Sequence, residues 1–178
     1  MYTLDVEKRD LTIKAKKLRK IGFIPGSLAG RTPEETLLVQ IPAGKAKKFL
    51  KENSRGALVT LSCDGVSYPA VLKSISRAPI DGQPLDLAFQ SLFEDVPVNS
   101  AAQVVLRNAD KITVPVNKLV NEIPYTALPK DLVELAEIDL AQLRAGDRVK
   151  VADLALSGLP GLEVLLAPDT LVITLEGR

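Results

Sequence analysis

The sequence predicts a mainly β protein with short helices, of the α+β class: a six-stranded antiparallel β-barrel over residues 1–92, followed by a second β domain over residues 93–178. Three observations carry this. Apolar residues recur mostly at every second position, in short runs bounded by Gly, Pro, Asn and Asp, which is the period of a half-buried strand. A chain of 178 residues, 46% hydrophobic and 25% charged, can bury one good core or two small ones. The charge also breaks near residue 93. Residues 1–92 hold fifteen Lys and Arg against nine Asp and Glu, and residues 93–178 hold eight against thirteen, so the total of +1 conceals a basic half and an acidic half.

In chain order, alternation predicts strands over 2–8, 23–29, 36–41, 57–63, 67–76 and 84–92, with Asp64-Gly65 as a hairpin turn between the fourth and fifth. Two helices interrupt them. Over 12–21, Ile13, Lys16, Lys17 and Lys20 fall at helical spacing. Over 44–53, Lys45, Lys48 and Glu52 can face water while Ala46, Phe49 and Leu50 turn inward. Pro25 and Pro42 mark the neighbouring loops. The second half predicts short strands over 96–98, 103–106, 111–116, 133–138, 148–151 and 171–174, a small sandwich or rolled sheet, with a tight turn at Ala145-Gly146-Asp147. Prolines inside several of these runs predict edge strands.

Composition removes most catalytic chemistry. The chain has no His, so no His-assisted triad and no imidazole metal site. Its one cysteine, Cys63, lies in an alternating apolar run and reads as a buried strand thiol. The acidic pair Glu34 and Glu35, and the set Asp131, Glu134 and Glu137, read as solvated side chains. Gly26-Ser27-Leu28-Ala29-Gly30 lacks the Gly-Lys-Ser/Thr ending of a P-loop, and nothing fits a dinucleotide fingerprint. The expectation is a non-enzymatic protein with no cofactor, no metal and no small-molecule substrate. The first residues lack the apolar core of a signal peptide and no apolar stretch approaches about 20 residues, so a soluble cytoplasmic protein without membrane partners is expected.

The basic half points to a polyanion. Lys14, Lys16, Lys17, Arg19 and Lys20 crowd one short segment, and residues 1–55 hold thirteen basic groups against six acidic ones. On a helix Lys16 and Lys20 lie one turn apart, so several ammonium groups can reach phosphates along one groove. With seven Phe and Tyr and no Trp, stacking platforms for single strands are scarce. A structured duplex, met through backbone and shape, is the expected partner.

Leu18-Arg19, Gly22 and Ile24-Pro25-Gly26-Ser27-Leu28-Ala29-Gly30 resemble a family pattern of Leu-Arg, Gly, Val-Pro-Ala/Gly, two apolar residues and Tyr-Gly. That pattern marks the bacterial large-subunit ribosomal protein numbered twenty-five, whose longer members are called the CTC or general-stress form. The likeness continues through Ser76-Arg77-Ala78-Pro79 to Phe89-Gln90. In the second half it runs through Ile138-Asp139-Leu140-Ala141-Gln142-Leu143, Gly146-Asp147, Val149-Lys150-Val151-Ala152-Asp153-Leu154 and Pro168-Asp169.

The resemblance implies a 5S-rRNA-binding barrel over 1–92 and a CTC-type β domain over 93–178, on the large ribosomal subunit. It places RNA contacts on Lys16, Lys17, Arg19 and Arg77, to which the basic cluster itself adds Lys14 and Lys20. Three positions depart from the family pattern. Its Tyr before Gly is Ala29, and its His-apolar-Asp-Phe signature is Asp86-Leu87-Ala88-Phe89. A donor and an acceptor are thereby removed and a carboxylate is introduced where RNA is expected. Two readings follow: a ribosomal RNA-binding protein, or a diverged relative that has lost specific 5S binding and acts as a protein-interaction or stress-related module.

Overall fold

The computed structural model describes residues 2–177, the side chain of Pro33 excepted. It divides into two compact units, residues 1–93 and 94–178.

The first unit is a closed six-stranded barrel of β1 (Tyr2–Lys8), β2 (Phe23–Ala29), β3 (Leu37–Pro42), β4 (Leu58–Cys63), β5 (Val66–Arg77) and β6 (Pro84–Ser91), with helices α1 (Ala15–Lys20) and α2 (Ala43–Glu52). Around the ring the order is β1-β3-β2-β6-β5-β4. Alternation sends Leu4, Val6, Ile24, Leu28, Val39, Ile41, Val59, Leu61, Leu72, Leu87 and Phe89 into one core, and α2 adds Ala46 and Phe49 to it. Tyr2 packs its ring 5.1 Å from that of Phe49. Cys63 is buried, as expected, and burial pushes its thiol pKa up. Asp64 and Gly65 both take positive φ in the β4–β5 hairpin, as a type I′ turn requires.

The expected antiparallel pairing holds for four seams and fails for two: β1 with β4 and β2 with β6 run parallel. The reason is topological. Strands β1, β3 and β2 form one three-stranded unit with β3 reversed in the middle, and β6, β5 and β4 form another with β5 reversed. The outer strands of both units point the same way, so the two seams that close the ring must be parallel.

Helix α1 is shorter than the expected 12–21. The Asp10 carboxylate accepts from the Thr12 amide at 2.9 Å and from its hydroxyl at 2.6 Å. This local bonding offers the backbone an alternative to helix, and Lys14 stays extended at φ −61°, ψ 145°.

The second unit packs two sheets on one core. The first is ordered β10-β7-β9-β12, from β7 (Val98–Arg107), β9 (Glu122–Ala127), β10 (Leu135–Asp139) and β12 (Leu162–Val164). The second is ordered β11-β13-β8, from β8 (Val116–Lys118), β11 (Arg148–Lys150) and β13 (Leu171–Leu175). The sandwich is as expected, but several strands differ. Residues 96–98 and 103–106 do not form two strands; one strand, β7, starts at Val98 and runs through 103–106 to Arg107, and 96–97 lie outside it. Residues 111–116 are mostly not a strand, because Asn108 turns left-handed at φ 56° and opens a 3₁₀ turn over Ala109–Lys111.

Strand β9 was concealed by Pro124, which sits in a central strand opposite Ala101. In an antiparallel pair a residue's nitrogen and carbonyl point to the same side. The Pro124 carbonyl accepts from the Leu165 amide at 2.9 Å, just beyond the end of β12. The missing N–H therefore falls outside the β7–β9 ladder. Inside this unit the Tyr125 hydroxyl donates to the Val133 carbonyl at 2.7 Å and accepts from its amide at 2.8 Å, which satisfies a buried phenol.

Candidate nucleic-acid interface

Six residues make α1, and one of them anchors it. Leu18 is fully buried yet is not part of the barrel core, so α1 lies on the outside of the barrel, where it packs on β2. This turns the remaining positions outward. Lys14, Lys16, Lys17 and Lys20 are exposed, and none of the four forms an ion pair among the described residues. Lys17, Arg19 and Lys20 occupy the last turn, where the exposed carbonyl ends of the helix favour cations. No acidic residue offsets them in the first turn.

Arg19 is only half exposed, and its Nη1 donates to the Leu85 carbonyl at 3.3 Å. That bond ties α1 to the start of β6. Along β6, Leu87 and Phe89 point into the core, so Asp86, Ala88 and Gln90 point out. The register sets Ala88 beside Ser27 of β2 and Ser74 of β5, Ala29 beside Gln90, and Asp86 beside Ser76. The outer face of β2, β6 and β5 is therefore a floor of short side chains, with α1 at one end.

The three departures named above all lie on this floor, and the α1 cations stand next to it. Arg77 is exposed at the end of β5, opposite Pro84, with its Nη1 donating to the Gly82 carbonyl at 3.1 Å.

The sequence reading missed Arg9. It follows β1, its amide donates to the Leu38 carbonyl at 3.0 Å, and its Nε is buried without a hydrogen-bond partner among the described residues. Burial pushes the Asp86 carboxyl pKa up, and the charges of Arg9 and then Arg19 partly pull it back. The carboxylate on the floor thus stands within reach of two guanidinium charges rather than alone. The available signal was phase: Leu4 and Val6 point inward, so an odd-numbered Arg9 points out.

This arrangement can bind an extended anion. Among the described residues no cluster of three or more Cys, Asp or Glu side chains could hold a metal, and no helix is long and apolar enough to cross a membrane.

Two family models divide the chain almost as the two units do. The Ribosomal L25p family model matches residues 4–89, which include α1, Ala29, Asp86, Ala88 and every candidate contact, and the model of the ribosomal protein TL5 C-terminal domain matches residues 95–178. The chain belongs to the ribosomal L25p family. Its relatives of known name are similar along both parts. A Geobacillus thermodenitrificans protein named large ribosomal subunit protein bL25 is 27% identical over 172 residues, 95% of this chain and 80% of its own length. Proteins of the same name from Thermoanaerobacter sp. and Nitrosomonas europaea are 26% identical over 183 and 164 residues, covering 98% and 89% of this chain and 89% and 83% of their own lengths. In this L25p chain the six-stranded barrel closes, and Ala29, Asp86 and Ala88 lie on its outer floor.

Proposed function

We propose that this protein is a non-catalytic component of the large ribosomal subunit in the cytoplasm, and that it binds 5S rRNA with α1 and the outer face of β2, β6 and β5. The observation that carries the reading is the unpaired set Lys14, Lys16, Lys17 and Lys20 beside a floor of short side chains. Long ammonium side chains reach phosphates at the groove edge while the low floor lets the duplex approach. Arg19 and Arg77 extend the same contact, and the names of the relatives support the ribosomal setting.

The test is a salt series with the full chain and 5S rRNA. Replacing Lys16 and Lys17 by Ala should lower the slope of log affinity against log salt by about one unit per lost contact, and the wild-type protein should sediment with large subunits. An unchanged slope refutes the placement on α1. Ala29, Asp86 and Ala88 favour a second reading, a family member that no longer selects 5S rRNA. That reading holds if 5S rRNA and an unrelated RNA duplex bind equally at the same salt.

A further inference from the structure

The strongest unassigned charge on the molecule lies on α2. At 100° per residue, Ala46, Phe49 and Leu50 occupy the side turned to the core. Lys47, Lys48 and Lys51 fall within a sector of about 100° away from it. All three are exposed, and none forms an ion pair among the described residues. Of the other charges of this helix, Lys45 is held by Asp5 at 2.7 Å, and Glu52 stands one turn beyond Lys48, at the edge of the lysine sector. Lys51 also stands in the last turn, where it suits the helix dipole.

Two features say what such a face would meet. From Lys47 to Lys51 the helix rises about 6 Å, and a nucleic-acid duplex presents one phosphate charge per about 1.7 Å of axis. Counting both strands, about three to four phosphates fall within that rise and about two on one strand, so three cations there are enough to neutralise the stretch of backbone they meet. The second feature is continuity, since the Ala43 amide at the start of α2 donates to the carbonyl of Gly22, just past the end of α1, at 2.8 Å. The start of α2 is thereby tied to the end of α1.

We infer that Lys47, Lys48 and Lys51 form a second, sequence-independent grip on the phosphate backbone of duplex RNA, additional to the α1 contact. The inference rests on the RNA-binding reading above. Within α2 no Arg, Asn or Gln accompanies these lysines, so their grip adds affinity and leaves selectivity unchanged.

The test uses the full chain, 5S rRNA and an unrelated fully paired RNA duplex, titrated across a salt series. The triple variant Lys47→Ala, Lys48→Ala, Lys51→Ala should make the salt slope shallower by about two to three units on both RNAs alike, with thermal unfolding unchanged. The corresponding triple Arg variant should keep the wild-type slope, because it keeps the charge. If the triple Ala variant keeps the wild-type slope while the Lys16 and Lys17 variant loses slope, this inference fails and the α1 reading stands. A slope lost on 5S rRNA but not on the unrelated duplex also overturns it. If the wild-type chain binds neither RNA, both fail.

Discussion

The guanidinium of Arg19 donates to the backbone carbonyl of Leu85, 66 residues further along the chain, at 3.3 Å. This bond fixes the basic helix against the strand whose next residue is Asp86. The α1 cations therefore stand at the Asp86 end of the floor, with Ala88 and then Ala29 further along it.

Restoring the family's groups on that floor should tighten selective binding. In the variant Ala29→Tyr, Asp86→His, Ala88→Asp, each good polar contact to RNA is worth about 1–3 kcal/mol by analogy with base readout, and about 1.4 kcal/mol is tenfold. We expect affinity for 5S rRNA to rise by one or more decades, with affinity for an unrelated duplex nearly constant. Parallel titrations of both RNAs at one salt concentration decide it, and equal affinities for the variant and the wild type would remove these positions from RNA recognition.

A side chain at Gly26 should cost stability in this chain, although the family pattern admits Ala at that position. A Cβ there would stand 2.9 Å from the Leu87 carbonyl oxygen and 3.3 Å from Val39 Cγ2, so the backbone of the parallel β2–β6 seam would have to move. Overpacking of this kind costs about 1–3 kcal/mol. Urea unfolding of Gly26→Ala should show a lower midpoint, and a wild-type midpoint would mean that the seam yields freely.

Acid should weaken the second unit through Asp139. Its carboxylate accepts from Asn108 Nδ2 at 2.7 Å and from the Ala141 amide at 3.0 Å, and these bonds hold its pKa below the usual carboxylate range. A carboxyl lowered in the fold contributes stability above its unfolded pKa of about 3.9 and loses it as pH falls through the folded value. The thermal midpoint should drop from about pH 5 downward, and Asp139→Asn should show a smaller drop. Asp10, lowered by its bonds to Thr12, acts in the same direction in the barrel.

The barrel should stand alone. Residues 1–93 contain a complete core, and Arg31 holds its guanidinium 4.7 Å above the ring of Phe93, so a fragment should end after that residue. We expect fragment 1–93 to unfold cooperatively and to keep the RNA affinity of the full chain. Circular dichroism and titration check both, and binding found in fragment 94–178 would reverse the assignment.

Much of this was present in the sequence, because its signals are local. Alternation set the inward side of β1, β3, β4 and β6, Asp64-Gly65 set the hairpin, Ala46 and Phe49 set the buried side of α2, and the density of lysine marked α1 as the candidate contact. Tertiary structure decided what depends on partners distant in the chain. The two parallel seams follow from closing a ring of two three-stranded units, which no run of residues encodes by itself. Strand β9 passes through Pro124 because the missing N–H falls outside the ladder. The surroundings of Asp86 arise only when β1, α1 and β6 converge and bring Arg9 and Arg19 near it. Side-chain periodicity is a property of neighbours along the chain, whereas seam direction and charge surroundings belong to residues that folding alone brings together.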